Sequence, residues 1–376
     1  MSDFAPQNAR DVADIVSALM EARETVEILG NGTRRGMGRP VVANHRLTTR
    51  HLSGITLYEP EELVLSVGTG TLLSEIEALL EANGQHLAFE PPHHGAHTIG
   101  GVVAAGLSGP RRVLAGAVRD QLLGFTAVNG FGDIFKGGSR VVKNVTGYDL
   151  PKLMAGSFGT LSVLCDVTLK VLPRPKARTT LVVRGLAAKE GAALLRRVLG
   201  MPLEISGAAF VPEFGGTSVT AMRLEGFAES VADRAQGLAR ATGAQIAGAE
   251  FASFWEMVRD VALLKDAPAL WRICVPPVVG ADFLGLLPDA RGFMDWGGGL
   301  VWLGVEDRAD CGAAVLRAAL AKTGGHATLV RASEATRATL DVFQPQAESL
   351  AALTRRVKES FDPLRIFNPG RMYAGL

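Results

Sequence analysis

Two glycine-rich segments of this chain have the composition of phosphate-binding loops. The first, Gly30-Asn-Gly-Thr-Arg-Arg-Gly-Met-Gly38, follows an apolar stretch at 25–29 that reads as a strand. The second opens at His97-Thr-Ile-Gly-Gly101 and runs into small apolar residues at 102–106, which suit the start of a helix. Small residues let a ligand approach the backbone, and unpaired N–H groups at a helix start bind phosphate oxygens. Five arginines fall between Arg34 and Arg50 with no acid among them, adding positive potential where a pyrophosphate would lie. A third segment, 143–160, has few charges and three glycines and precedes an apolar strand at 161–164. It brings backbone close to a group that is flat, anionic and largely buried.

Other chemistries fit less well. A nicotinamide-type dinucleotide fold needs a helix directly after its glycine loop and an acid about 20 residues further on for the ribose. Gly36, Gly38 and Pro40 break such a helix, and no Asp or Glu occurs between Gly36 and Tyr58. His93, His94 and His97 invite a metal reading, but Pro91 and Pro92 precede them and Gly95 interrupts them, against the helix that would align them. They read as loop histidines or as a polar position beside the bound group. Tyr148 and Asp149 have the types of an acid–base pair; in a glycine-rich turn such residues first satisfy backbone groups. Cys165, Cys274 and Cys311 are widely spaced, offering no disulfide framework and no zinc or iron–sulfur pattern.

The elements that must position these loops follow from periodicity and composition. At 376 residues, 47% hydrophobic and 20% charged, the chain supplies more than one core and two to three domains. A net charge of +1 points to neither nucleic acid nor an anionic membrane surface. The first residues lack a basic, then apolar, leader and no run approaches about 20 apolar residues, so a cytoplasmic protein is expected. Asn8 caps a first helix with apolar residues at Val12, Ile15, Val16 and Leu19. Strands follow at 55–58 and 63–67, a helix at 71–82, and strands at 125–128, 133–136 and 161–172. Pro173-Arg-Pro175 marks a boundary. Beyond it, strand–helix–strand–strand–helix occurs twice, joined by a linking helix near 251–265, with the last helix at 309–322. That repeat predicts an antiparallel α+β lobe built by duplication. A helix at 350–360 precedes the closing stretch 361–370. The expected domains are 1–175, 176–345 and a returning segment, 346–376.

Taken together, the loops resemble the flavin-binding domain of the vanillyl-alcohol oxidase and p-cresol methylhydroxylase (PCMH) family. Gly30, Asn31, Gly32, Thr33 and Arg34 match its first loop; His97, Thr98, Gly100, Gly101 and Ser108 match its second. Gly147-Tyr-Asp-Leu150 and Gly156-Ser-Phe-Gly-Thr-Leu161 match its third region, and Asn368-Pro-Gly-Arg371 its closing motif. The resemblance covers about 25–175 and 361–371. It implies FAD, a two-lobed α+β PCMH-type FAD domain and a duplicated, ferredoxin-like antiparallel cap. It also implies a pyrophosphate held by the first two loops. Tyr148, Gly156, Gly159 and Leu161 would meet the flavin and adenine portions, with Asn368 beside them.

Departures from the family refine this. Many members tether FAD through a histidine near the first loop or a cysteine in the second. Here the loop reads Arg35-Gly-Met-Gly38 and no cysteine precedes Cys165, so non-covalent FAD is implied. The histidine-rich metal motif of the D-2-hydroxy-acid dehydrogenases is missing: 176–345 contains one histidine, His326, so no catalytic metal is expected. No catalytic residue can be assigned. The whole chain is most similar to the smaller FAD-binding subunits of bacterial glycolate oxidases. That likeness implies a related larger flavin subunit and an iron–sulfur subunit as partners, with membrane contact only through them. Glycolate or D-lactate would be oxidised to the 2-oxo acid, and electrons would leave through the partner's clusters, since this chain has no cluster, haem or nicotinamide motif of its own. Two alternatives stand beside it: a self-sufficient FAD oxidase or dehydrogenase with His326 or His97 as base, and a structural subunit without flavin chemistry.

Overall fold

The structure, a computed structural model, describes residues 2–93, 95–139 and 147–376. His94 and Lys143, Asn144, Val145 and Thr146 of the third glycine-rich segment lie outside the described residues. The chain divides into two compact units. One comprises Met1–Leu107, Gly116–Arg174 and Pro345–Leu376; the other comprises Ser108–Ala115 and Pro175–Gln344.

In the first unit, Asn8 caps the helix Ala9–Ala22 by accepting from the N–H groups of Arg10 and Asp11. Its apolar stripe, Val12, Val16 and Leu19, packs on Val26, Leu47 and Phe367. Val26–Leu29 pairs in parallel with His45–Thr48, which also pairs in parallel with Asp3–Phe4. Parallel neighbours need a long connection, and the first glycine loop is part of it. A five-stranded antiparallel sheet follows, in the order Ile55–Glu59, Val64–Gly68, Val163–Lys170, Leu122–Val128, Ile134–Gly138. All of Val64–Gly68 is buried. The helices Leu73–Ala82 and Ile99–Ala105 share a core with this sheet through Ile76, Leu80, Val102 and Val103. The strand expected from 161 starts at Val163, because Phe158 (φ +54°) and Gly159 (φ +66°) turn the chain just before it.

The second unit is built on one eight-stranded antiparallel sheet. Its first half contains Ala177–Arg184, Ile205–Phe214 and Thr217–Gly226, with the helices Ala188–Leu199 and Ala228–Thr242. Its second half repeats the order with Ala269–Cys274, Arg291–Asp295 and Leu300–Val305, the helices Gly280–Leu284 and Ala313–Thr323, and His326–Arg331. The halves join where Phe210 pairs with Met294. Strand alternation sends Trp271 and Ile273 to the helix-covered core, and Leu270 to an aromatic layer with Phe254, Trp255 and Trp302. The duplication is therefore present, with two corrections. The expected linking helix is three short pieces, Ala249–Phe251, Phe254–Arg259 and Ala262–Leu264, the last two separated where Val261 adopts φ +55°. Buried Phe251, Phe254, Trp255, Val258, Val261 and Leu264 bend this segment across the sheet. The helix expected from 309 begins at Ala313, because Asp310 accepts from the N–H groups of Gly312 and Ala314 and makes a turn first.

Glu225 ties the segment 108–115 into this unit. Arg111 donates a bidentate pair to it at 2.8 and 2.9 Å, Arg178 lies at 3.2 Å and Arg223 at 3.5 Å. Burial by itself would raise this carboxyl, but the Arg111 hydrogen bonds and the charges of Arg223, Arg111 and Arg178 outweigh it, holding the pKa far below the usual carboxylate range. The unfolded chain then takes up the proton first on acidification. The contribution is full above the ordinary glutamate pKa of about 4.3 and is lost as pH falls below it. Glu225→Gln is expected to cost about 2 kcal/mol at pH 7 and to flatten the acid side of the melting-temperature profile. Thermal melts between pH 7 and pH 3 check both effects.

Candidate cofactor cleft

Gly30, at the end of Val26–Leu29, carries the chain directly against Thr98; a Cβ here would collide with Thr98 Oγ1. Thr98 is the N-cap of Ile99–Ala105, its hydroxyl accepting from Gly101 N–H. Two further bonds hold the first and second loops together. Thr33 Oγ1 lies 2.7 Å from His97 Nδ1, and Asn31 Nδ2 donates to Ala96 O at 2.8 Å. From the other side, Asn368 Oδ1 accepts from Ile28 N–H and its Nδ2 donates to Phe158 O, both at 2.7 Å. Arg371 donates to Arg34 O at 2.8 Å. These contacts frame a concave cleft lined by both glycine loops and the closing segment.

Of the residues expected to bind the cofactor, Gly30, Asn31, Gly32, Thr33, Arg34, Thr98, Gly100, Gly101, Gly159 and Asn368 line this cleft. His97 stands behind Thr33 and is 2% exposed. Gly156 and Leu161 border a separate, mainly apolar pocket against the helix Glu348–Phe361. Tyr148 is 89% exposed, on a turn where Asp149 pairs with Lys152. Ser108 belongs to the second unit, buried, with a hydroxyl that meets no hydrogen-bond partner among the described residues. Phe158 and Arg371, quoted only within matched motifs, and Thr69, not singled out, also line the cleft. A signal for Thr69 was present: Gly68-Thr-Gly-Thr71 is itself a glycine-rich turn, in which Cβ atoms at Gly68 and Gly70 would strike the carbonyls of Leu52 and Thr49.

The electrostatics differ from expectation at two points. Ile99 and Gly100 donate their N–H groups to Thr71 O and Thr69 O at 2.9 Å, so the start of this helix contributes close approach rather than open donors. Arg35 and Arg46 turn to Glu27, at 2.8 and 3.5 Å, an acid just upstream of the arginine-rich window. Arg34 lines the cleft, with one guanidinium nitrogen donating to Pro92 O at 3.3 Å. Burial pushes its guanidinium pKa down to about 10, and its buried Nε has no partner. Nor does any hydrogen bond among the described residues take up the backbone N–H groups of Gly32, Thr33 and Arg34. An orphaned cationic donor beside open backbone donors, walled by glycines that exclude any side chain, fits a diphosphate. His93 pairs with Glu77 at 2.8 Å, apart from the His97–Thr33 contact. Among the described residues, no three His, Cys, Asp or Glu side chains gather as a metal site. No helix there is long and apolar enough to cross a membrane.

Comparison with known proteins bears on this geometry. The FAD binding domain family matches residues 3–138. The family match and the relatives it sits among make the chain an FAD-dependent oxidoreductase of the PCMH type. Glycolate oxidase subunit GlcE of Escherichia coli (strain K12) is 36% identical over 367 residues, covering 96% of each chain. The chain belongs to the family of that subunit. Glycolate oxidase subunit GlcD of Bacillus subtilis (strain 168) is 30% identical over 180 residues, 48% of this chain and 38% of that protein. The solved structure of an alkyldihydroxyacetonephosphate synthase superposes with a TM-score of 0.69 over 98% of this chain and 75% of its own, at 15% identity, and shares the fold.

Proposed function

We propose that this chain is the FAD-binding subunit of a glycolate oxidase (dehydrogenase) complex. Glycolate or D-lactate is oxidised there to the 2-oxo acid, and electrons pass to an iron–sulfur partner beside a related, larger flavin subunit. The observation that carries this reading is the end-to-end similarity to a protein named as a glycolate oxidase subunit, in a chain whose cleft fits FAD. Residues 1–175, completed by 346–376, serve as the FAD domain and 176–345 as the cap. The complex works in the cytoplasm, touching a membrane only through partners.

Bound FAD supplies a two-electron acceptor. The chain's own residues hold and orient it. Arg34 and the N–H groups of Gly32 to Arg34 neutralise its diphosphate. Thr33 with His97, and Asn368 with Ile28 and Phe158, fix the loops on either side. With Arg35-Gly-Met-Gly38 in the loop and no cysteine nearby, FAD is held without a covalent bond. Each glycolate releases two electrons and two protons, which must leave this chain. Its three cysteines, Cys165, Cys274 and Cys311, are too widely spaced to form a cluster pattern.

The test is the visible spectrum of the chain purified alone. Flavin bands are expected, with yellow FAD released on acid precipitation and the bands unchanged by anaerobic glycolate. Bleaching by glycolate would instead make the chain a dehydrogenase in its own right. Absence of bands even after FAD is added would overturn the reading of the cleft.

A further inference from the structure

In the second unit, two arginines flank one indole, and a histidine lies near them. Arg272, on Ala269–Cys274, places its guanidinium 5.2 Å from the Trp296 ring centroid. Arg112 sits 4.6 Å from the same centroid. His326 is the register partner of Cys274 on the adjacent strand. It lies close enough to Arg272 and Arg112 that burial and these two charges hold its imidazole pKa below the ordinary value.

The platform is firmly held. Trp296 adopts φ +53°, a left-handed conformation that a bulky residue keeps only under constraint. Asp295 Oδ1 accepts its backbone N–H at 2.7 Å, and Gly109 O accepts its indole N–H at 3.1 Å. The Arg111–Glu225 pair anchors the short segment that carries both Gly109 and Arg112.

Arg272 is the informative member. It is 9% exposed, yet among the described residues it has no carboxylate partner and its side chain makes no hydrogen bond; its guanidinium lies over the Trp296 ring. Other buried arginines of this unit are satisfied: Arg223 by Ser206 and Glu225, Arg337 by Ala332 O. A buried cation without a counter-charge is costly, and nearby basic groups add to the cost. An arriving anion removes it. Stacking on an indole leaves the edge of a guanidinium available to grip a carboxylate in two-point fashion.

We propose that Arg272, with Arg112 and His326 around Trp296, forms a recognition site on the second unit for a small carboxylate, the class to which 2-hydroxy acids belong. The choice of carboxylate over other anions rests on the function proposed above; the existence of an anion site does not.

The full chain with bound FAD is titrated anaerobically with glycolate by calorimetry, using uncharged glycolamide and inorganic phosphate as comparators. Saturable glycolate binding is expected, with none for glycolamide. Arg272→Met should weaken it about 30-fold or more, and Arg272→Lys should retain part of it, with the flavin spectrum unchanged in both. Should Arg272→Met fail to fold, Arg272→Lys and His326→Gln, each expected to bind more weakly than the parent, carry the test. No saturable binding by the parent chain, equal binding by the variants, or tighter binding of phosphate than of glycolate would overturn the proposal. Flavin content and bleaching are read in the same samples. A chain that binds glycolate through Arg272 but is never reduced by it, alone or with partners, leaves this site standing and removes the hydroxy-acid oxidation.

Discussion

A Gly100→Val chain is expected to purify without flavin bands. A Cβ at Gly100 would lie 2.7 Å from Thr69 Cβ and 2.9 Å from Thr69 O. Thr69 has no room to retreat: its carbonyl accepts Gly100 N–H at 2.9 Å and its hydroxyl donates to Leu164 O at 2.7 Å. The strain must therefore displace the helix Ile99–Ala105, whose Gly100 and Gly101 line the cleft. Overpacking of this kind costs about 1–3 kcal/mol, or roughly ten- to a hundredfold in FAD affinity at about 1.4 kcal/mol per tenfold. Gly36→Ala is the control, because a Cβ there meets nothing within 4 Å. A fluorescence titration of the two apo-proteins with FAD decides the matter, and equal affinities would show that this close approach does not shape the cleft.

The second large effect is on stability. Lys358 and Asp362 form a buried pair at 2.6 Å, with side chains 4% and 0% exposed. The Lys358 ammonium also donates to Thr160 O at 2.6 Å and Phe367 O at 3.2 Å. Burial lowers its pKa from the usual lysine value, with Asp362 acting in the opposite direction. Lys358→Met removes the cation and leaves a buried carboxylate, a loss of about 3–5 kcal/mol. At about 2–4 °C per kcal/mol for a unit of this size, the melting temperature should fall by roughly 6–20 °C. Asp362 also accepts from the N–H groups of Ile366 and Phe367, just before Asn368, so FAD retention should fall too. Lys358→Met combined with Asp362→Asn should recover part of the loss, since it removes the unpaired buried charge while the amide oxygen still accepts one of the two N–H groups. A single variant melting within about 2 °C of the parent would mean that the pair contributes little.

What the sequence disclosed follows from the range of the forces involved. Glycine loops are legible because only a residue without Cβ fits at Gly30 or Gly100, and the duplicated lobe because its strands and helices alternate at their own periods. Long-range pairings are not legible. Arg46 finds Glu27 only across paired strands, and Arg111 finds Glu225 over 114 residues. The expectation of open N–H donors at Ile99 and Gly100 failed for the same reason: their acceptors, Thr71 O and Thr69 O, belong to another turn. The linking segment had apolar residues at helical spacing, and only its contact with the aromatic sheet face explains the break at Val261. Tyr148 resembles a family position, but its exposure depends on surroundings that no motif carries.

The hydrogen bond from Ile28 N–H to Asn368 joins residues 340 apart. On the ribosome, the strand Val26–Leu29 emerges well before its partner Asn368, with the whole second unit synthesised in between. The cleft is therefore completed only after the second unit has been made: until then the nascent chain carries the first two glycine loops without Asn368 and must avoid misassembly.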